Sequence, residues 1–126
     1  MRLEHTALWA TDIERSRAFY QRFFRAESSA RYHNPTKAFS SYFLSFAQGG
    51  RLELMHTPTS HPQSPQPTIG WAHMALSVGS EQAVDELTEW IKSEGYCCVD
   101  GPRRTGDGYY ESVVLDPDGN RIEITA

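Results

Sequence analysis

An α+β fold made of two tandem βαβββ units is predicted by three observations. The first is an ordered internal repeat. His5-Thr6-Ala7-Leu8 matches His73-Met74-Ala75-Leu76 at an offset of 68 residues, and Gly49-Gly50-Arg51-Leu52-Glu53-Leu54 matches Gly119-Asn120-Arg121-Ile122-Glu123-Ile124 at an offset of 70. The second is that both matching segments alternate apolar and polar residues, which is the period of a half-buried strand. The third is a helical apolar stripe lying between strand patterns in each half.

The elements follow in order. Leu3 to Ala10 reads as a strand. Asp12 is a good N-cap, and Ile13, Ser16, Phe19, Tyr20, Phe23 and Phe24 recur at helical spacing behind it. Tyr32 to Asn34 reads as a short strand and Phe39 to Phe46 as a longer one, which Gly49-Gly50 turns into a strand over Arg51 to His56. The second half repeats the series. Trp71 to Val78 is a strand, Ser80 an N-cap, and Ala83, Val84, Leu87, Trp90 and Ile91 a helical face closed by Gly95. Cys97 to Val99 reads as a short strand, Tyr109 to Leu115 as a longer one, and Arg121 to Thr125 as the last. Asp116-Pro117-Asp118-Gly119-Asn120 has the composition of a tight turn. The organisation is a single domain over 1–126, with repeat one at 1–57, a linker at 58–69 and repeat two at 70–126. The linker carries Pro58, Pro62, Pro65 and Pro67, and proline disfavours regular elements.

Composition removes several classes of function. The chain has 126 residues, 39% hydrophobic and 22% charged, which fits a globular domain with a sizeable core. A net charge of −4 with no basic block argues against nucleic acid as a partner. No apolar run approaches the roughly 20 residues of a membrane span. The start of the chain runs straight into the strand pattern without a signal-peptide core, and the two cysteines, Cys97 and Cys98, are adjacent and unsuited to a disulfide framework. A cytoplasmic location is the expectation.

Strand alternation selects the chemistry. Leu52 and Leu54 oppose Glu53, and Ile122 and Ile124 oppose Glu123; Met74, Leu76 and Val78 oppose His73. The apolar faces must cover the helices, so His5, Glu53, His73 and Glu123 share the other face at repeat-equivalent positions. Two imidazoles and two carboxylates suit a divalent metal: zinc, nickel or manganese, with iron a further option. Lesser candidates are Tyr109 or Tyr110 as a boundary of the site. His56 and His61 are expected to be exposed at the linker edge, His33 to end a strand, and Cys97-Cys98 to serve as small packing residues.

Over nearly its whole length the chain resembles the vicinal oxygen chelate superfamily, which holds glyoxalase I, extradiol dioxygenases and the bleomycin resistance proteins. The carriers are His5-Thr6-Ala7-Leu8 with Ser16-Arg17-Ala18-Phe19-Tyr20, then Arg51-Leu52-Glu53-Leu54, then Trp71 to Val78, and Asp116 to Ile124. The resemblance implies that the paired units curl into a cup-shaped mixed sheet around a metal with open coordination positions. It implies that His5, Glu53, His73 and Glu123 match the four-ligand pattern of the glyoxalase I-like branch. It further implies an enzyme of the lactoylglutathione lyase type, doing isomerase or lyase chemistry through an enediolate on a small carbonyl substrate, with Glu53 or Glu123 as the base. A homodimer sharing its sites between chains is implied as well. Arg15, Arg17, Arg22, Arg103 and Arg104 are candidates for binding a glutathione carboxylate. The alternative is a drug-binding or thiol-transferring resistance protein of the same fold.

Overall fold

The computed structural model describes residues 1–61 and 69–126; most of the predicted linker, 62–68 with Pro62, Pro65 and Pro67, lies outside the described residues. The chain divides into two compact units, Met1–Pro62 and Gln63–Ala126.

In the first unit the order is β1 (His5–Trp9), α1 (Ile13–Phe24), β2 (Glu27–Ser28), β3 (Tyr32–Asn34), β4 (Phe39–Ser45) and β5 (Arg51–His56). The sheet runs β1-β5-β4-β2, with β3 also paired to β4. The first and last strands are parallel neighbours, and the remaining pairs are antiparallel. Asp12 caps α1 by accepting from the backbone N–H groups of Glu14 at 3.0 Å and Arg15 at 3.1 Å. The helix buries Ile13, Ser16, Phe19, Tyr20 and Phe23, and the sheet answers with Leu44, Leu52 and Leu54. A buried polar link joins the two layers. Tyr42 donates its hydroxyl to Glu14 Oε1 at 2.7 Å, and the Arg17 guanidinium lies 4.6 Å from the Tyr42 ring centre.

The second unit repeats the plan with β6 (Met74–Ser77), α2 (Glu81–Ser93), β7 (Cys98–Arg104), β8 (Tyr110–Leu115) and β9 (Arg121–Thr125). The sheet order is β6-β9-β8-β7, again with first and last strands parallel. Ser80 caps α2 through the Ala83 N–H at 3.2 Å. The helix buries Val84, Thr88 and Ile91 against a sheet whose Val114, Ile122 and Ile124 are fully buried. Thr88 and Ser112, both inside this layer, satisfy each other at 2.6 Å.

The α+β class and the tandem units are as the sequence predicts, and each sheet is mixed. The bounds differ in places. β1 is shorter than Leu3 to Ala10, although the ladder continues past both its ends through Arg51 N–H to Glu4 O and Ala10 N–H to Met55 O. β6 begins at Met74, not Trp71. In its register the partners of Trp71 and Ala72 fall at Gly119 and Asn120, which belong to the turn. β7 is seven residues long where only Cys97 to Val99 reads as a strand. Gly101 interrupts the pattern, and it is obligatory there: its φ is 76°, and a Cβ would stand 2.5 Å from the Glu111 carbonyl oxygen. The two-residue β2 has no sequence signal. Cys97 is exposed and Cys98 half-buried, both free, so packing explains only the second.

The Asp116–Asn120 turn is built around one carboxylate. Asp116 is 4% exposed and accepts from the backbone N–H of Asp118, the backbone N–H of Asn120 and the Asn120 side-chain amide, each at 2.9 Å. The turn thereby sets the β8–β9 register. Asp116→Ala removes the acceptor and leaves buried donors unmatched, which costs about 2–3 kcal/mol. Thermal unfolding should show the midpoint fall by several degrees, about 5–10 °C.

Tyr42 yields a prediction with a definite sign. Burial, then the hydrogen bond to Glu14, raises its phenol above the ordinary 10.0. The native state therefore keeps a proton that the unfolded chain releases above pH 10.0. Its contribution is fully present below that pH and is lost as pH rises through the raised value. Tyr42→Phe should cost about 1 kcal/mol at pH 7. Denaturant titrations at pH 8 and 11 should show the gap between the two proteins narrowing at the higher pH.

Candidate functional site

Register places the predicted ligands. In the first sheet Ala7 pairs with Glu53; in the second Ala75 pairs with Glu123. Each His stands two residues before its Ala, so side-chain alternation puts His5 with Glu53 and His73 with Glu123 on one face in each unit. In both, this face is opposite the one carrying the helix-packed Leu52, Leu54, Ile122 and Ile124. Single-residue slippage in either parallel pair would invert that assignment.

The two pairs differ in their contacts. In the second unit His73 Nε2 and Glu123 Oε2 are 3.2 Å apart, with the Glu123 side chain 21% exposed. In the first unit Glu53 lies between Ala7 on β1 and Phe43 on β4. His5 meets the Phe43 ring edge-on at 5.2 Å between centres, and its Nδ1 is bonded to Glu4. Glu4 also binds the Arg51 guanidinium, which itself lies over Phe43 at 4.3 Å. The His5 and Arg51 hydrogen bonds hold the Glu4 carboxyl below the usual carboxylate range. Each unit thus brings two of the predicted donors to one face. Among the described residues no three His, Cys, Asp or Glu side chains gather into a group able to hold a metal ion.

A further carboxylate escapes the sequence reading. Glu111 on β8 pairs with Thr125, one alternation along from Glu123, and so shares its face. Burial raises its carboxyl above the usual range, and the Glu123 charge adds to this; Arg103 and His73 oppose it. The signal was present as a lone Glu in the Tyr109 to Leu115 strand, in phase with Val113 and Leu115. It has no counterpart in the first half, where Ser41 holds the equivalent place opposite Met55.

Other candidates take structural roles. His56 is half-buried, not exposed: its Nδ1 donates to the Ala10 carbonyl at 2.9 Å, on the side of Leu52 and Leu54. His61 is exposed, and His33 sits in β3 bonded to Ser40 at 2.9 Å. Tyr110 turns to the helix, donating to Asp85 at 2.8 Å, while Tyr109 precedes β8 and is exposed. Among the arginines, Arg17 pairs with Glu14, Arg103 with Asp100 and Arg104 with Glu81. Arg22 stacks on Phe23 at 5.6 Å, and Arg15 belongs to the capped first turn of α1. Among the described residues no helix is long and apolar enough to cross a membrane.

Known proteins resemble this chain in sequence or in fold. A Bacillus subtilis (strain 168) protein, the uncharacterised YqjT, is 26% identical over 131 residues and is covered, like this chain, to 98%. A solved glyoxalase family protein from Enterococcus faecalis superposes with a TM-score of 0.82 at 21% identity, over 98% of this chain and 96% of its own. Glyoxalase I from Zea mays gives 0.81 at 23% identity over 98% of this chain, which spans only 44% of the maize chain. The trypanothione-dependent glyoxalase I of Leishmania major gives 0.78 at 22% identity, over 99% and 86%. At such identities the solved structures establish the fold alone. The model of one family matches residues 2–124, and on that match the chain belongs to the Glyoxalase/Bleomycin resistance protein/Dioxygenase superfamily.

Proposed function

We propose that the chain is a metal-dependent enzyme of glyoxalase I-like type, acting on a small carbonyl compound by moving a proton at the adjacent carbon. His5, Glu53, His73 and Glu123 are the ligands of one divalent ion, zinc, nickel or manganese. The carrying observation is the equal register of the two halves: Ala7 opposite Glu53 and Ala75 opposite Glu123, with a His two residues upstream each time. The donor set fits the ion chemically, because two carboxylates offset its charge and two neutral imidazoles complete four positions. The metal, when bound, supplies a Lewis acid that polarises the substrate carbonyl. Glu53 or Glu123 takes the proton, a carboxylate being a suitable general base. Glu111, raised by burial and by Glu123, adds an acid on the same face.

In this reading repeat one, linker and repeat two form one working domain, 1–126. The chain is a homodimer, in which the His5–Glu53 pair of one copy meets the His73–Glu123 pair of the other. Each unit by itself supplies half of a four-ligand set, and the support for sharing between copies is the family's habit of completing its sites from two chains.

Metal binding and sharing are tested together. Zinc titration of apo protein should show micromolar or tighter binding, lost in His5→Ala and in His73→Ala. Mixing the two variants under subunit exchange should restore about one quarter of the wild-type capacity, since half the dimers are mixed and each holds one intact site. No recovery would place each site within one chain, and wild type that binds none of zinc, nickel and manganese would remove the metal reading.

The chemistry is tested by solvent deuterium exchange at the carbon beside the carbonyl. Suitable compounds are the hemithioacetal of methylglyoxal and 2-hydroxy carbonyl compounds. Glu53→Gln and Glu123→Gln should both slow exchange, the base by about 100-fold or more and the other ligand by less. Loaded protein that exchanges none of these protons but opens an epoxide with a thiol would establish the transferase alternative.

A further inference from the structure

The two halves place their imidazoles by different means. Glu4 uses both carboxylate oxygens: Oε2 bonds His5 Nδ1 and Oε1 accepts from Arg51 Nη2. Arg51 is on β5, two residues before Glu53 and on the same face. Its guanidinium covers Phe43, and the His5 ring meets the same phenylalanine edge-on. Glu4, His5, Phe43 and Arg51 therefore close a ring of contacts around the imidazole. The imidazole's hydrogen bond in this ring is made at Nδ1, not at Nε2. The repeat-equivalent of Glu4 is Ala72, so the second half lacks the carboxylate although Arg121 matches Arg51. There the imidazole contact is between His73 Nε2 and Glu123.

We propose that Glu4 is a positioning residue for His5, holding the proton on Nδ1 so that Nε2 presents its lone pair to the metal. This rests on the metal reading given above. An ionised carboxylate only accepts, so the hydrogen bond with a neutral imidazole requires the proton on Nδ1. A neutral imidazole with Nδ1–H has its lone pair on Nε2, the form a metal takes up. Arg51 keeps the carboxylate in place by occupying its other oxygen, and Phe43 sets the plane of the ring. Partners of this kind orient ligating histidines and raise their basicity, and their loss costs about 10–100-fold in metal affinity. In the second half the ring contacts Glu123, itself a proposed ligand.

Two measurements test this. Nitrogen-15 NMR of metal-free wild type should find His5 as the Nδ1–H tautomer, and Glu4→Ala should shift it toward Nε2–H. Competition with a chelator should show zinc bound about 10–100-fold more weakly by Glu4→Ala, with Glu4→Gln between it and wild type. An Nε2–H tautomer in wild type overturns the proposal. So does unchanged zinc affinity in Glu4→Ala when His5→Ala weakens binding, which leaves the metal reading standing. If His5→Ala itself binds zinc like wild type, the metal reading falls and this role for Glu4 falls with it.

Discussion

Everything in each unit depends on the parallel pairing of its first and last strands. Parallel neighbours cannot be joined by a tight turn; the chain must leave the sheet and return. Here the intervening helix and strands make that journey, and the helix stripe buries one face of the parallel pair. Leu52 and Leu54, or Ile122 and Ile124, are at most 1% exposed as a result. Burial of that face fixes the register, and the register fixes the opposite face. The positions of His5, Glu53, His73 and Glu123 are thus consequences of apolar packing behind them. Placing a His–Glu pair this way requires no strain at the pair itself.

A common backbone plan carries different side chains in the two halves. The first half surrounds its imidazole with Glu4, Arg51 and Phe43, half-exposed and held by charge and aromatic contact. The second half sets its imidazole against Glu123 and adds Glu111, which burial keeps from ionising as readily as a free glutamate. One half is arranged to fix an imidazole, and the other concentrates carboxyl groups. A symmetric scaffold needs such differences if Glu53 and Glu123 are, as proposed, to do different work, one holding the metal and one accepting a proton. Environment separates the roles of chemically identical groups.

The sequence made the elements legible wherever period and burial agreed. The repeat, the helix stripes, the caps Asp12 and Ser80, and the Asp116 turn all rest on local patterns, and the structure places them accordingly, except that Trp90 of the second stripe is exposed. What stayed hidden depends on tertiary neighbours. β2 is two residues held by β4 alone. The length of β7 rests on Gly101 passing close to β8, which no local pattern announces. His56 looked like a linker residue because Pro58 follows it, yet the Ala10 carbonyl needs its donor. Glu111 and Glu4 went unnoticed for a shared reason. Neither falls at a repeat-equivalent pair, and the repeat was the filter that selected ligands.

That filter also explains what family membership can and cannot convey. The stretch Asp116 to Ile124 carries much of the resemblance, and nearly all of it is scaffold. Asp116 binds backbone donors, Gly119 sits at a φ of 85°, and Ile122 and Ile124 are fully buried. Arg121 and Glu123 face the other way. Residues that hold the turn and the core are tied to the fold. Phe43 and Glu111 lie on the other face, away from the helix-packed side chains, where Glu4 bonds His5. In the proposed reading, substrate choice falls to that second set, since the first is spent on making the sheet. A close relative in fold that differs at Glu4 or Glu111 would present another chemical surface on the same strands, and its name would not carry across.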